Sequence, residues 1–286
     1  MQTQSRQRLP QWLRRGVIEC DSTKIVRDIL KENNLNTVCD SARCPNKAEC
    51  FSKKTATFMI MGKNCTRGCR FCAVNHTKPE PLDENEPLNI ALAVQKLSLL
   101  YAVITSVTRD DLPDGGAEHF LKTIIKVNEL NPDVKIEVLT PDFKGDTTSI
   151  DTVINSPLSV FNHNLETTKR LHKTIRPQAG YERSLEVLRY VKQTRPDLKT
   201  KTGLMVGLGE TFDELEEIFK DLKSINCDIV TIGQYIQPSK NNVEVVRYVE
   251  PQEFEELEKL AKSIGIKYTF FAPLARSSYR AKEVFE

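Results

Sequence analysis

Apolar positions along this chain keep two rhythms. Short apolar runs, mostly rich in β-branched and aromatic residues, occur at Ala56–Met61, Tyr101–Val107, Val134–Leu139, Leu158–Phe161, Lys199–Val206, Asp228–Ile232 and Lys267–Ala272. Runs of this length read as buried strands. Between them the apolar residues recur at helical spacing over Ala117–Leu130, Asp146–Asn155, Tyr181–Thr194, Thr211–Ile225 and Pro251–Ile264. An earlier helix is expected over Thr23–Glu32, capped by Asp21 or Ser22, with Val26, Ile29 and Leu30 on one face. Strands that alternate with helices predict a parallel sheet. Six main strand–helix units follow the entry segment, with 267–272 as a last strand. The expected fold class is α/β, a partial (β/α)6 TIM-type barrel, open rather than closed on eight units. Lys78–Pro87, with Pro79, Pro81 and Pro87, reads as a linker.

Cysteine placement changes this picture most. Six of the eight cysteines in 286 residues fall between Cys39 and Cys72. Such clustering in a large chain reads as metal ligands in a reducing compartment rather than a disulfide framework. Met1–Gly16 is polar and arginine-containing, unlike a secretory signal, so a cytoplasmic protein is expected. No run of about eighteen apolar residues exists, so no membrane span is expected. The net charge of +2, from 41 basic and 39 acidic residues, argues against nucleic acid as the main partner.

Cys65-Thr-Arg-Gly-Cys69-Arg-Phe-Cys72 has the spacing C-x₃-C-x₂-C and follows the first strand directly. A cubane iron–sulfur cluster usually takes four thiolates. Three leave one iron open to a small molecule. The second triplet, Cys39-x₄-Cys44-x₅-Cys50, lies in a stretch without alternation that carries Pro45, so it reads as a loop or broken helix. A zinc knuckle wants four ligands, and no histidine is near, so zinc there needs a distant fourth ligand.

Parallel barrels gather their sites where the strands end. There the chain offers Gly115-Gly116 after the second strand, Asn162-His163-Asn164-Leu165-Glu166 after the fourth, Gly203 to Gly209 after the fifth and Gly233 to Ser239 after the sixth. Gly115-Gly116 is either a close backbone approach to a ligand or a turn before a helix. His163 reads more simply as structural, and Cys20 and Cys227 as inert thiols. Arg276-Ser277-Ser278-Tyr279 reads, on composition, as a solvated tail.

Together these residues resemble the lipoyl synthase family of radical S-adenosylmethionine enzymes. The resemblance runs from Leu9-Pro-Gln-Trp-Leu-Arg14 to Arg276-Ser-Ser-Tyr279 and includes both triplets, Arg109-Asp-Asp-Leu112, Asp114-Gly-Gly-Ala117, Phe161-Asn-His-Asn164, Lys201 to Thr211 and Gln237-Pro-Ser239. C-x₃-C-x₂-C alone says only radical enzyme. The second triplet with the tail is far narrower. The resemblance implies two 4Fe–4S clusters and S-adenosylmethionine. Cys65, Cys69 and Cys72 would hold the cluster that binds the cofactor. Cys39, Cys44, Cys50 and a tail serine, with Ser278 preferred over Ser277, would hold an auxiliary one. Gly115, Gly116, Asn162 and Gly207 are the expected S-adenosylmethionine contacts. No catalytic residue is expected beyond the clusters. The implied segments are an extension (1–54), the barrel (55–272) and a tail closing over the auxiliary cluster (273–286).

The implied reaction inserts two sulfur atoms, drawn from the auxiliary cluster, at C6 and C8 of an octanoyl chain on a carrier-protein lysine. Implied partners are octanoylated lipoyl-carrier domains (the glycine-cleavage H protein and 2-oxoacid dehydrogenase E2 subunits), a flavodoxin- or ferredoxin-type electron donor and iron–sulfur carrier proteins. Two other classes are a different radical sulfur inserter or methylthiotransferase, and a non-catalytic metal scaffold.

Overall fold

The computed structural model describes residues 9–14, 21–53, 56–279 and 281. The expected segment boundary at 54/55 and Cys20 lie outside the described residues. Seven strands form one parallel sheet in sequence order: β1 (Thr57–Ile60), β2 (Tyr101–Ser106), β3 (Lys135–Leu139), β4 (Val160–Asn162), β5 (Lys199–Val206), β6 (Ile229–Gln234) and β7 (Tyr268–Phe271). β1 and β7 are its edges, so the barrel is open, as the pattern predicts. Nearly every strand residue is buried, because helices cover the outside of a parallel sheet.

Ahead of the barrel come α1 (Asp21–Glu32), α2 (Val38–Ser41) and α3 (Lys47–Ser52). The barrel helices are α4 (Glu86–Lys96), α5 (Ala117–Leu130), α6 (Thr147–Ile154), α7 (Lys169–Ile175), α8 (Tyr181–Thr194), α9 (Phe212–Ser224) and α10 (Pro251–Ile264). The expected helices are present within a residue or two at their ends. α4 was not expected: it begins inside the supposed linker, with Pro87 in its first turn. Proline is tolerated there because that amide has no partner within the helix. α7, in the turn region after β4, was also not anticipated.

Local chemistry sets the helix ends. Thr211 and Glu214 form a capping box at the start of α9. Gly265, at φ 102°, stops α10 in the left-handed conformation that glycine adopts without strain.

One core runs from Val26 and Phe51 in the extension through the sheet to Ile266 and Phe271. The extension is therefore part of the barrel's packing. Thr37 bridges Phe58 of β1 in antiparallel sense, and the Met59 amide donates to Asn36 O at 2.9 Å.

The barrel interior holds a buried polar knot. Lys201 on β5 pairs with Glu137 on β3 at 2.9 Å, and both side chains are only 1% exposed. Tyr101 Oη and Asn162 Nδ2 donate to the same carboxylate at 2.6 and 3.2 Å.

Beyond β7 the tail crosses the inner face of β5 and β6. The Gln234 amide donates to Pro273 O at 3.0 Å, and Ala275 is buried. Glycines make this crossing possible. A Cβ on Gly233 would strike the Ala275 carbonyl, and one on Gly203 would strike Ser277 Oγ.

Candidate active site

After β1 the chain turns through Met61 and Gly62, both at positive φ, into the first cysteine triplet. Loops from four other strands grip this segment. From β2, Thr108 O accepts from the Thr66 amide at 3.0 Å, and Asp110 takes a two-pronged bond from Arg67 at 2.7 and 2.9 Å. From β3, Asp142 accepts from Arg67 at 2.7 Å. From the β4 side, Ile175 O accepts from the Arg70 amide at 2.9 Å, and Gln178 Oε1 from the Gly68 amide at 2.7 Å. From β6, Asn242 Nδ2 donates to Cys72 O at 2.8 Å. Burial tends to raise the Asp142 carboxyl, but the Arg67 hydrogen bonds and charge outweigh it and hold the group at about 2.

Backbone amides face two of the three thiols. Backbone amides of Arg67 and Thr108 point at Cys65 Sγ at 3.4 and 3.3 Å, and that of Val74 at Cys72 Sγ at 3.4 Å. Burial pushes Cys72 up to about 12, with the negative charges of Cys69 and Cys65 adding to it. Burial also raises Cys69, and Arg176 opposes that rise through its charge and a hydrogen bond. Three mutually repelling sulfurs, with amide donors aimed at two of them, suit a polynuclear cation. Among the described residues no group of three His, Cys, Asp or Glu side chains is disposed to hold a single metal ion. A cubane places each thiolate on a different iron, so its ligands need not converge as zinc ligands must. The donor set fits a cluster.

The second triplet is built from two short helices. Cys39 lies in α2, Cys50 in α3, and Cys44 between them. Thr37 caps α2 by accepting from the Asp40 amide, and the Cys44 amide donates to Cys39 O at 3.0 Å. Burial pushes Cys39 to about 11 and Cys50 to about 12, and the thiols reinforce each other. None of the described cysteines is in a disulfide.

The tail is tied to this triplet's frame. Asn46 Nδ2 donates to Leu274 O at 2.7 Å, and Tyr279 Oη donates to Glu49 Oε1 at 2.9 Å. Arg276, half-buried, is close enough to feel both Cys44 and Glu166. Ser277 Oγ donates to Asn164 Oδ1 at 2.9 Å. Among the described residues the Ser278 hydroxyl has no hydrogen-bond partner. The solvated-tail reading is thus replaced by a docked tail. One further loop joins the two triplets: Pro238 O accepts from Arg43, and Asn242 donates to Cys72 O.

The four expected cofactor contacts are placed as follows. Gly115 and Gly116, at φ 60° and 90°, form the turn that starts α5. Their amides donate to Leu112 O and Asp114 Oδ1, and their Cβ positions face Phe143 and Met61. The turn reading describes both. Asn162 lies inside the barrel on Glu137, with its Oδ1 buried and without a partner among the described residues. Gly207, at φ 95°, gives its amide to Glu210 and packs on Gln234 and Arg247 O. His163 is structural: its ring nitrogens meet Thr140 O at 2.9 Å and Ser184 Oγ at 3.0 Å. Burial lowers it to about 4 and pushes the buried Cys227 thiol to about 12.

Sequence reasoning placed Glu166 at the barrel mouth but missed two buried charges here. Arg67 and Arg176 hold no periodic position that marks them. The one legible hint is that Arg67 falls inside the C-x₃-C spacing. Burial raises Glu166, while Arg176, Asn164 and Arg276 oppose the rise.

Among the described residues no helix is long and apolar enough to cross a membrane. A profile of the Radical SAM superfamily matches residues 59–222. The chain is 53% identical over 274 residues to a lipoyl synthase of Caldicellulosiruptor saccharolyticus, covering 96% of each. It is 47% identical to lipoyl synthase 2, chloroplastic, of Populus trichocarpa, over 96% of this chain and 71% of that one. Among solved structures, Streptococcus suis SuiB bound to S-adenosylmethionine aligns with a TM-score of 0.58 at 12% identity, over 80% of this chain and 53% of that one. Methylornithine synthase aligns with a TM-score of 0.50 at 11% identity, over 91% and 82%. The structural likenesses show the shared fold, and the sequence identity over nearly the whole length goes further: the chain belongs to the lipoyl synthase family of the radical SAM superfamily.

Proposed function

We propose that this chain is a sulfurtransferase that completes the lipoyl cofactor, inserting sulfur at C6 and C8 of an octanoyl chain on a lysine of a lipoyl-carrier domain. Those carbons are unactivated, with no neighbouring group to stabilise an anion, so no acid–base residue opens their C–H bonds. A cofactor must carry that chemistry. When bound, a cluster on Cys65, Cys69 and Cys72 with S-adenosylmethionine supplies one-electron chemistry strong enough for such a bond, and a second cluster supplies the sulfur. The chain's own residues do the rest. Arg67, Asp110 and Asp142 fix the first thiol loop on two strands. Asn46, Glu49 and Tyr279 hold the tail against the second triplet. Residues 273–279 close over that triplet, and burial around both keeps water from the reacting carbons.

The observation that carries this reading is the loop after β6, which touches both thiol triplets within five residues, at Pro238 and Asn242. It supports the reading that two clusters share one barrel mouth. We assign Cys39, Cys44, Cys50 and Ser278 to the second. Ser277 is committed to Asn164, which leaves the unpartnered Ser278 hydroxyl. A serine oxygen is a harder ligand to iron than a thiolate, which suits a cluster that gives up its atoms. The S-adenosylmethionine site lies on the first triplet. Asn162, through its unpartnered Oδ1, and the backbone around Gly115, Gly116 and Gly207 are its further candidates.

The proposed carriers are the glycine-cleavage H protein and 2-oxoacid dehydrogenase E2 subunits. A flavodoxin- or ferredoxin-type donor and iron–sulfur carriers would serve the clusters in the cytoplasm. One anaerobic turnover with an octanoyl-lysine peptide tests the function by mass spectrometry. Two added sulfurs are expected, and cofactor cleavage with no sulfur gained refutes it.

A further inference from the structure

Unpaired positive charge gathers where the loop after β6 spans the seam between the two thiol triplets. Arg43 directly precedes Cys44, and its side chain reaches across to donate to Pro238 O at 3.3 Å. Arg70 lies between Cys69 and Cys72, and its carbonyl accepts from Asn242 Nδ2 at 3.2 Å and from the Val243 amide at 3.0 Å. Lys240 sits between these two anchor points, in a turn that the Asn242 amide closes on Ser239 O at 3.2 Å. Arg43, Arg70 and Lys240 are exposed, and none of them makes an ion pair among the described residues.

The carboxylates on the second triplet's helices are already matched. Asp40 pairs with Lys47 at 2.7 Å, and Glu49 with Lys53 at 3.0 Å. On the loop itself, residues 238–244 hold one carboxylate, the exposed Glu244. Positive charge is therefore in surplus there, and like charges on neighbouring loops gain from an anionic surface laid against them. The proposed reaction says where such a surface would sit. C6 and C8 lie near the far end of one unbranched lysyl–octanoyl arm, and both carbons must reach between the triplets. The domain that carries the arm must rest on the rim at the entrance, and this loop is the part of the rim that touches both triplets.

We infer that Arg43, Arg70 and Lys240 form a docking collar for a carrier domain whose face around the octanoyl-lysine is acidic. This rests on the reading that an octanoylated carrier domain is the substrate. Exposed charges on a rim act on encounter and orientation, and salt screens them. The collar speeds capture of a folded, acidic carrier. It does nothing for a short uncharged peptide that bears the same octanoyl-lysine, because that peptide offers it no carboxylates.

The test compares octanoylated glycine-cleavage H protein with a capped, uncharged octanoyl-lysine peptide, using the anaerobic, fully loaded enzyme. It reads single-turnover sulfur insertion against substrate concentration at several ionic strengths. Lys240→Glu reverses one charge in a turn whose backbone bonds stay in place. At low salt the H-protein concentration for half-maximal rate is expected to rise about tenfold, with the maximal rate unchanged. The difference is expected to vanish near 1 M salt, where the screening length is about 3 Å. Arg70→Gln removes one charge and is expected to raise the same value about threefold. Lys240→Arg is expected to match the unsubstituted enzyme. The peptide is expected to react alike with Lys240→Glu and the unsubstituted enzyme. An H-protein value unchanged in Lys240→Glu at low salt overturns the inference, as does a shift that persists at 1 M salt. A peptide rate that falls as far as the H-protein rate also overturns it, because the loop's role is then structural. If the unsubstituted enzyme adds sulfur to neither substrate, it is the substrate reading that fails.

Discussion

Gly233→Ala is expected to detach the tail from the barrel without touching either cysteine triplet. Gly233 lies on the inner face of β6, and a Cβ there would sit against the Ala275 carbonyl oxygen, with the carbonyl carbon at 2.9 Å and an Arg276 nitrogen at 3.0 Å. Real Cβ atoms essentially never come within 3.0 Å of a heavy atom, and here the neighbour is backbone rather than a yielding side-chain tip. The tail must retreat by roughly 1 Å or more. Overpacking of this kind costs about 1–3 kcal/mol. The larger effect falls on function, because a misplacement near 1 Å in a positioned group costs on the order of 100-fold. Ser277 and Ser278 come two and three residues after Ala275, so the shift reaches the proposed fourth ligand of the second cluster. Sulfur insertion should fall about 100-fold while reductive cleavage of S-adenosylmethionine persists, since the first triplet is untouched. Limited proteolysis should cut the tail faster. Gly180→Ala is the control: its Cβ meets Arg183 Cβ at an ordinary 3.5 Å, and stability should change by less than about 0.5 kcal/mol. Unchanged stability, proteolysis and sulfur insertion in Gly233→Ala would refute the docked tail.

Lys201→Met leaves the buried Glu137 carboxylate without its countercharge. It should destabilise the protein by about 3–5 kcal/mol in denaturant, and the Glu137→Met, Lys201→Met pair should recover most of that. Asp142 titrates at about 2 when folded against the ordinary 3.8, so its stabilisation is complete above about pH 4 and is lost as pH falls through 2. That is roughly 2 kcal/mol at 1.36 kcal/mol per pKa unit. Asp142→Asn in the iron-free protein should remove this part of the acid dependence between pH 4 and 2, seen in denaturant midpoints. Replacing Cys39, Cys44 and Cys50 by alanine should halve the iron, from about eight per chain, keep cofactor cleavage and abolish lipoyl formation. Full lipoyl formation in that variant would remove the second cluster from the proposed reaction.

Most of the fold was legible because burial and periodicity coincide in a parallel barrel. β2 opens on the run Tyr101-Ala-Val-Ile104, and α5, α8 and α10 present clean helical stripes, so their limits are readable to a residue or two. α4 was lost because three prolines nearby read as punctuation, although Pro87 sits where a first helical turn accepts it. Both thiol triplets were legible because ligand spacing is local. The tail was not, since nothing in Arg276-Ser-Ser-Tyr279 records that Gly203 and Gly233 clear a path for it. Resemblance pointed to the tail, and composition pointed away from it.

The buried charges show where sequence reading runs out. Lys201 and Glu137 occupy strand positions that a pattern would fill with apolar residues, and each is tolerable only because the other is there. They are 64 residues apart, so no local window sees the pair. Arg67 and Asp142 are 75 apart, and Asn164 and Ser277 are 113 apart. In each case a costly group on one strand end is neutralised or satisfied from another. The register of the sheet, which apolar packing decides, is therefore what turns scattered polar residues into a site. The barrel's hydrophobic pattern does its functional work indirectly: it sets which strand ends are neighbours, and with that which charges meet at the thiols.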